Sequence, residues 1–209
     1  MANTFSISSP QLLVFNDNGT SFYGADQDWY TQKWQQQAGC GPTVCSQLFW
    51  YLSQTKPGYD NLCKYDAQQK EGIALLMHDV WDFVTPGKYG TNSTKLFISG
   101  AMKYANEKQV ALSSSFLDMR KSKRDEDVQK MAEFVQNSLA QNLPVAFINL
   151  SNGKEDILES WHWVVIVGFS PDTMVAECYD NGNRLNVNLK NWLATTLMGG
   201  ICIAIPHRR

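Results

Sequence analysis

One cysteine stands where the sequence predicts that a helix begins. Cys40 lies in the segment Gly39-Cys40-Gly41-Pro42, and Pro42 suits the first turn of a helix, where an amide needs no partner. Free backbone amides and the positive end of the helix dipole stabilise an anion there, and the thiolate is the nucleophilic form of cysteine. Cys40 is therefore a candidate nucleophile, and Gly39 and Gly41 would let a substrate backbone approach closely. The alternative is a buried cysteine at a tight turn.

A histidine far along the chain could act as the base for this thiol. His162 opens a predicted strand, and a three-residue hairpin loop would place Phe169 opposite Thr173 and His162 opposite Asp180. A carboxylate there would accept a hydrogen bond from the imidazole and fix its tautomer. A two-residue turn would place Asn181 opposite His162 instead. Without such pairing, His162 is an ordinary strand residue and Asp180 an ordinary turn residue.

Other polar and aromatic side chains could surround the reacting groups. A glutamine shortly before Cys40 could donate to a tetrahedral oxyanion beside the Cys40 amide. Three glutamines lie there, Gln35, Gln36 and Gln37, which otherwise form a polar surface loop. Trp161 and Trp163 flank His162, and they either line the site and bind substrate or pack against the core.

The periodicity of apolar residues predicts the elements that must position these groups. The predicted helices are 42–54, about 67–84, about 93–106 and about 124–141. The predicted strands are 144–150, 161–169, 173–179, 184–189 and 200–205, with a short helix near 190–197 and short strands near 5–8 and 12–15. Helices followed by antiparallel strands indicate an α+β fold. We expect a single domain over 1–209, with its helical part at about 30–141 and its antiparallel sheet part at about 142–209.

Composition excludes several classes of protein. The chain has 209 residues, of which 44% are hydrophobic and 12% aromatic, so it can bury a large core and is not disordered. A formal net charge of −2 argues against a nucleic-acid partner, and no apolar run is long enough to span a membrane. No signal peptide is recognisable, so a cytoplasmic location is expected. Five cysteines without a CxxC pair argue against a disulfide framework or a structural zinc site.

These motifs together resemble the papain-like cysteine peptidases. The resemblance is strongest to the bacterial branch that includes the double-glycine leader peptidases of bacteriocin exporters and their stand-alone relatives. It rests on the segments WQQQAGCGPTVCSQLFWYL, WHWVVIVGF and CYDNG. It covers roughly 34–54 and 142–205, whereas the middle helices match only in their layout.

The resemblance implies a papain-like fold and a mechanism. Cys40 would attack a carbonyl carbon, His162 would act first as a base and then as an acid, and Asp180 would orient His162. A glutamine would complete the oxyanion hole. Gln35 is the first choice, but the glutamine of the family usually lies further from the cysteine, which leaves Gln36 and Gln32 open. No metal and no organic cofactor are implied.

The expected activity is that of a cysteine peptidase or amidase. It would hydrolyse a peptide or isopeptide bond in a peptide or protein substrate through a thioester. One alternative is a transglutaminase-like acyltransferase, in which an amine resolves the same thioester. Another is a papain-like binding module without catalytic activity. The sequence does not fix the oligomeric state.

Overall fold

A computed structural model describes residues 4–206, in which helices pack against one large antiparallel sheet and a separate hairpin. The helices are α1 (Lys33–Ala38), α2 (Cys40–Thr55), α3 (Lys70–Trp81), α4 (Thr94–Glu107), α5 (Asp125–Ala140) and α6 (Leu189–Thr195). The strands are β1 (Phe5–Ser6), β2 (Val14–Asp17), β3 (Thr20–Tyr23), β4 (Leu112–Arg120), β5 (Val145–Asn149), β6 (His162–Ser170), β7 (Val175–Asp180), β8 (Asn183–Asn188) and β9 (Met198–Pro206). Short 3-10 turns cover Pro10–Leu13, Gln27–Trp29 and Asp60–Leu62.

The large sheet has the strand order β4-β9-β5-β6-β7-β8, and β1 pairs with the end of β6. All of its pairings are antiparallel. The central strands β5 and β6 are buried almost throughout, which explains why both appear in the sequence as continuous apolar runs. The predicted α+β fold is confirmed.

Helix α2 lies at the centre of the molecule. It contacts β5 and β6 of the sheet as well as α3 and α4, and every residue from Cys40 to Ser53 is buried. A helix that is covered on all sides has apolar residues around its whole circumference, as this sequence does. The packing of α2 therefore places its first residue, Cys40, against the sheet.

The four long helices that the sequence predicts are present, and so are the five strands predicted for the C-terminal part. The ends of these elements differ from the prediction by a few residues.

Within the described residues, none of the helices has the length and apolar character needed to cross a bilayer. The ends of the predicted domain, 1–3 and 207–209, lie outside the described residues.

Strand β4 corrects the predicted division of the chain. It lies inside the segment that was assigned to the helical part, yet it pairs with β9 along its whole length, from Leu112 opposite Pro206 to Arg120 opposite Met198. Its exposed and half-buried residues include a run of serines, so it lacks the alternation of a half-buried strand. Pairing with a distant strand, rather than local propensity, determines its conformation.

The predicted register of the β6–β7 hairpin is wrong. Phe169 pairs with Ala176, not with Thr173, because the connecting loop is longer and contains Met174 in the left-handed region, with φ of 58°. A bulge between Ile166 and Gly168 then shifts the register once more. These two irregularities change which residues lie opposite each other near His162.

Candidate active site

The turn that carries Cys40 is determined by tight internal packing. Helix α1 ends at Ala38, Gly39 continues with helical backbone angles, and α2 begins at Cys40. A Cβ at Gly39 would collide with the Gln35 backbone oxygen and would lie 2.6 Å from Cε2 of Tyr30.

The neighbouring Gly41 is under the same constraint. A Cβ at Gly41 would lie 2.7 Å from the Thr91 Cβ. Both Gly39 and Gly41 are buried, so the protein itself occupies the space beside them. These glycines therefore have a packing role, and their contact with substrate stays a prediction.

The imidazole of His162 contacts the carboxylate of Asp180. His162 is the first residue of β6 and Asp180 the last residue of β7, and Nε2 of His162 lies 2.6 Å from Oδ1 of Asp180. Val165 pairs with Tyr179, so continuing this register places Asp180 opposite Val164. His162 and Asp180 are thus diagonal neighbours on one face of the sheet, within reach of two such side chains. The predicted contact is present although the predicted register is not.

Asn181, the alternative partner of His162, is directed elsewhere. It follows β7 in the left-handed region, with φ of 43°. Its Oδ1 accepts a hydrogen bond from the backbone amide of Gln27 at 3.3 Å. The structure therefore places Asp180, and not Asn181, beside the imidazole.

The side chain of His162 connects the sheet to the Cys40 helix. Burial lowers the pKa of His162, but hydrogen bonds and charge interactions with Asp180 and Cys40 outweigh this effect and raise the pKa to about 10. A raised pKa favours an imidazolium between the carboxylate and the thiol at neutral pH. This is the electrostatic arrangement that activates a thiol as a nucleophile.

The structure distinguishes the glutamines before Cys40. Gln36 donates through Nε2 to the backbone oxygens of Asp28 at 3.1 Å and Tyr30 at 2.8 Å, so it holds the preceding turn. The exposed glutamines of this region are Gln32 and Gln37. Gln35 is buried, and its Oε1 has no hydrogen-bond partner within residues 4–206. The unpartnered atom is an acceptor, whereas a hydrogen bond to an oxyanion would come from Nε2 of Gln35.

A cleft of about 280 Å³ adjoins the thiol. Its lining includes Cys40 and three large aromatic side chains, Trp34, Tyr89 and Trp161. Ile148 and Leu150, at the end of β5 and just after it, also line it. The structure thus places Trp161 at the cleft, which is one of the two interpretations of this residue.

Trp163 does not line the cleft. It is buried, its ring stacks on Phe97 at a centroid distance of 4.4 Å, and its Nε1 donates to the backbone oxygen of Thr91 at 2.5 Å. Successive residues of a strand point to opposite faces, so Trp163 faces away from the side that His162 occupies. Of the two interpretations of Trp163, the structure favours packing over the predicted binding of substrate.

Sequence reasoning missed two groups of residues around the site. Asn149 pairs with His162 across β5 and β6, and its buried side chain donates to the Glu159 backbone oxygen and accepts from Nε1 of Trp192. A polar residue that ends an apolar strand was the available signal. The segment 88–92 lines the cleft from the loop between α3 and α4, where glycines at 87 and 90 indicated a turn.

Within the residues that the structure describes, no group of three or more His, Cys, Asp or Glu side chains is arranged to hold an ion. The four cysteines whose side chains are described, Cys40, Cys45, Cys63 and Cys178, form no disulfide with one another.

A thiol at the start of a central helix, facing a sheet that presents imidazole and carboxylate, is the arrangement of the papain-like α+β fold. A comparison with family profiles agrees with this class: the profile described as the Peptidase_C39 like family matches residues 25–196. The match covers most of the chain, so the chain belongs to this family, which indicates a cysteine peptidase. No curated protein matches the sequence.

Proposed function

We propose that the protein hydrolyses a peptide or isopeptide bond, with Cys40 as nucleophile, His162 as base and acid, and Asp180 as the residue that orients His162. The observation that carries the proposal is the position of the His162 ring. Its Nε2 lies 2.6 Å from Oδ1 of Asp180, and Cys40 is near enough to contribute to the raised pKa of His162. A buried imidazole that bridges a carboxylate and a thiol matches the geometry of nucleophilic thiol catalysis.

The first half of the reaction forms a thioester. In the resting enzyme His162 holds the proton of Cys40 as an imidazolium, and the thiolate attacks the carbonyl carbon, whose electron pair moves onto its oxygen. The Cys40 backbone amide and the Gln35 side chain donate hydrogen bonds to this oxyanion. The imidazolium then gives its proton to the amine nitrogen, the carbon–nitrogen bond breaks, and the amine leaves.

The second half regenerates the enzyme. His162 takes a proton from water, and the hydroxide attacks the thioester carbon. The carbon–sulfur bond breaks, the acid product leaves, and the proton stays on His162 beside the Cys40 thiolate. Transfer to an amine would follow the same course with an amine in place of water, so adding an amine and identifying the products separates hydrolysis from acyl transfer.

Selective alkylation tests the proposal, because the protein contains a matched control thiol. Cys40 and Cys63 are almost equally exposed, at 9% and 8%. Burial raises the pKa of Cys63, whose Sγ faces the Tyr65 backbone oxygen. With iodoacetamide at pH 6, we expect Cys40 to react at least about tenfold faster than Cys63, because only a thiolate reacts. Peptide mass spectrometry resolves the two sites.

Two variants complete this test. His162→Ala should reduce the alkylation rate of Cys40 to that of Cys63, and Cys40→Ala should abolish cleavage of a fluorogenic peptide library. Equal alkylation of Cys40 and Cys63 in the unmodified protein would contradict the proposal, as would a fully active Cys40→Ala variant.

A further inference from the structure

Three separate segments bring aromatic rings to the cleft beside Cys40. Trp34 lies on α1, Tyr89 on the loop between α3 and α4, and Trp161 just before β6. Their exposed fractions are 49%, 66% and 59%. Single exposed apolar residues are common, but several that converge on one concavity mark a binding surface. We call this concavity the aromatic cleft.

The backbone of Trp161 supports a binding role. Its φ of 62° lies in the left-handed region, which is unfavourable for a bulky side chain. The ring is mostly exposed, so burial in the core does not offset this strain. Strained residues of this kind cluster at ligand-binding sites. The strained backbone places the Trp161 ring over the cleft, directly beside His162.

The lining of the aromatic cleft favours an apolar ligand. Ile148 and Leu150 contribute aliphatic surface, and Lys88 is the charged residue among the lining side chains. No carboxylate of the described residues lines the cleft, so a basic side chain would meet Lys88 without an acidic partner. A glycine would leave the aromatic rings exposed to water.

One threonine in the lining of the cleft is fixed in position by its neighbours, and its hydroxyl is shielded from solvent. Thr91 is buried, and its Oγ1 has no partner among the described residues. Its backbone oxygen accepts from Trp163 and its side chain packs against Gly41, so Thr91 is held in place from two sides. A largely apolar cleft with a few polar side chains, here Gln37, Lys88 and Asn92, is typical of a site that binds and orients a ligand.

We infer that the aromatic cleft selects the substrate by binding a large apolar side chain, preferably an aromatic ring, within two residues of the bond that Cys40 attacks. This inference rests on the proposed function, since the cleft adjoins the nucleophile, and it adds the class of peptide that the site accepts. Apolar contact with the rings supplies the selectivity.

Internally quenched octapeptides test the inference. Each peptide carries a single phenylalanine at one position of a glycine and serine background, and in the matched peptides glycine, lysine or glutamate replaces that phenylalanine. Mass spectrometry identifies the cleaved bond. We expect phenylalanine within two residues of that bond to raise kcat/KM at least about tenfold over glycine, with no gain from lysine. Protection of Cys40 from iodoacetamide by the same peptides reports binding without turnover.

Variants locate the preference in the aromatic cleft. Trp161→Asn removes the ring while keeping a residue that tolerates the left-handed backbone, and it should reduce the preference for phenylalanine to about threefold or less. Trp34→Ala should act in the same direction. Leu75→Ala is the control, because Leu75 is equally exposed, at 50%, but lies on α3 outside the cleft; this variant should keep the preference.

The outcomes separate the two proposals. If Cys40 is alkylated no faster than Cys63, the proposed function fails and the inference fails with it. If Cys40 is alkylated rapidly but peptides with glycine or lysine are cleaved as fast as those with phenylalanine, or protect Cys40 equally well, the inference alone is overturned. An unchanged preference in Trp161→Asn and Trp34→Ala would also overturn it.

Discussion

Two neighbouring glutamines on α1 have different hydrogen-bonding environments, and we expect their substitution to have different effects. Gln35 is buried with an unpartnered Oε1 within the described residues, whereas Gln36 bonds two backbone oxygens. Gln35→Leu keeps the size of the side chain and removes the donor that we assign to the oxyanion. We expect kcat to fall about 10²- to 10³-fold, with the free energy of unfolding nearly unchanged. Steady-state kinetics and urea unfolding measure the two quantities.

Gln36→Leu is the matched control for this prediction. It removes hydrogen bonds to the backbone oxygens of Asp28 and Tyr30, which should cost about 1 kcal/mol of unfolding free energy while largely preserving kcat. If the two variants lost activity equally, the oxyanion role of Gln35 would be refuted.

The contact between the single residues His162 and Asp180 was predictable from the sequence, whereas the register of the two strands that carry them was not. Both residues lie near the open end of a hairpin, where direct and diagonal neighbours are within reach of an imidazole and a carboxylate. The register depends on the left-handed Met174 and on the bulge before Gly168, which are conformations of single residues. Residue types and an assumed loop length do not determine such conformations, so the correct pair of residues was inferred from an incorrect strand register.

The position of helix α2 depends on its second residue, Gly41. A Cβ there would lie 2.7 Å from the Thr91 Cβ, and Thr91 is held by its backbone bond to Trp163. We expect Gly41→Ala to lower the free energy of unfolding by about 1–3 kcal/mol, because a methyl group must be forced into a packed contact. Denaturant unfolding monitored by circular dichroism measures this loss.

Gly87 provides the control for that substitution. It lies in the loop that leads to the cleft, and an added Cβ would have no atom within 4 Å. Gly87→Ala should therefore change the free energy of unfolding by less than about 1 kcal/mol, in the stabilising direction. A Gly41→Ala variant as stable as Gly87→Ala would show that the contact with Thr91 does not constrain α2.

Among the elements, the sequence identified those with a strong apolar pattern and missed those that depend on distant partners. Helices α3 to α5 each carry a clear buried face, and α2 is buried on all sides. Strand β4 is stabilised by pairing with β9, and the six-residue α1 by its continuity with α2 and by the Gln36 bonds to the preceding turn. The contacts that stabilise these two elements reach other parts of the chain, so a local sequence pattern could not reveal either element.

At the scale of the whole molecule, the candidate site joins two layers of the fold. Cys40 belongs to the central helix, whereas His162 and Asp180 belong to the sheet, so their interaction forms only when helix and sheet pack together. The α+β class was predictable because helices precede strands in the chain. The aromatic cleft was not, because Trp34, Tyr89 and Trp161 come from three distant segments that only the packed fold brings together.

This junction makes the stability of the molecule depend on pH. The pKa of His162 is lowered by burial but raised overall to about 10 by Asp180 and Cys40, whereas an unfolded histidine titrates near ~6.5. The folded state therefore holds a proton that the unfolded state releases. The resulting stabilisation is fully present below about pH 6.5 and is lost as the pH rises towards 10.

Comparison with a variant isolates this contribution from the other titrating groups. We expect the difference in unfolding free energy between the unmodified protein and His162→Ala to shrink by on the order of 1–2 kcal/mol between pH 6.5 and pH 10, as urea unfolding across this range would show. Asp180→Asn removes the charge that raises the pKa of His162, so its own pH dependence over the same range should be weaker. A difference that stays constant or grows with pH would mean that His162 is not held as an imidazolium between Cys40 and Asp180. Helix and sheet would then meet at this point by packing alone, without the charge pair on which the proposed chemistry depends.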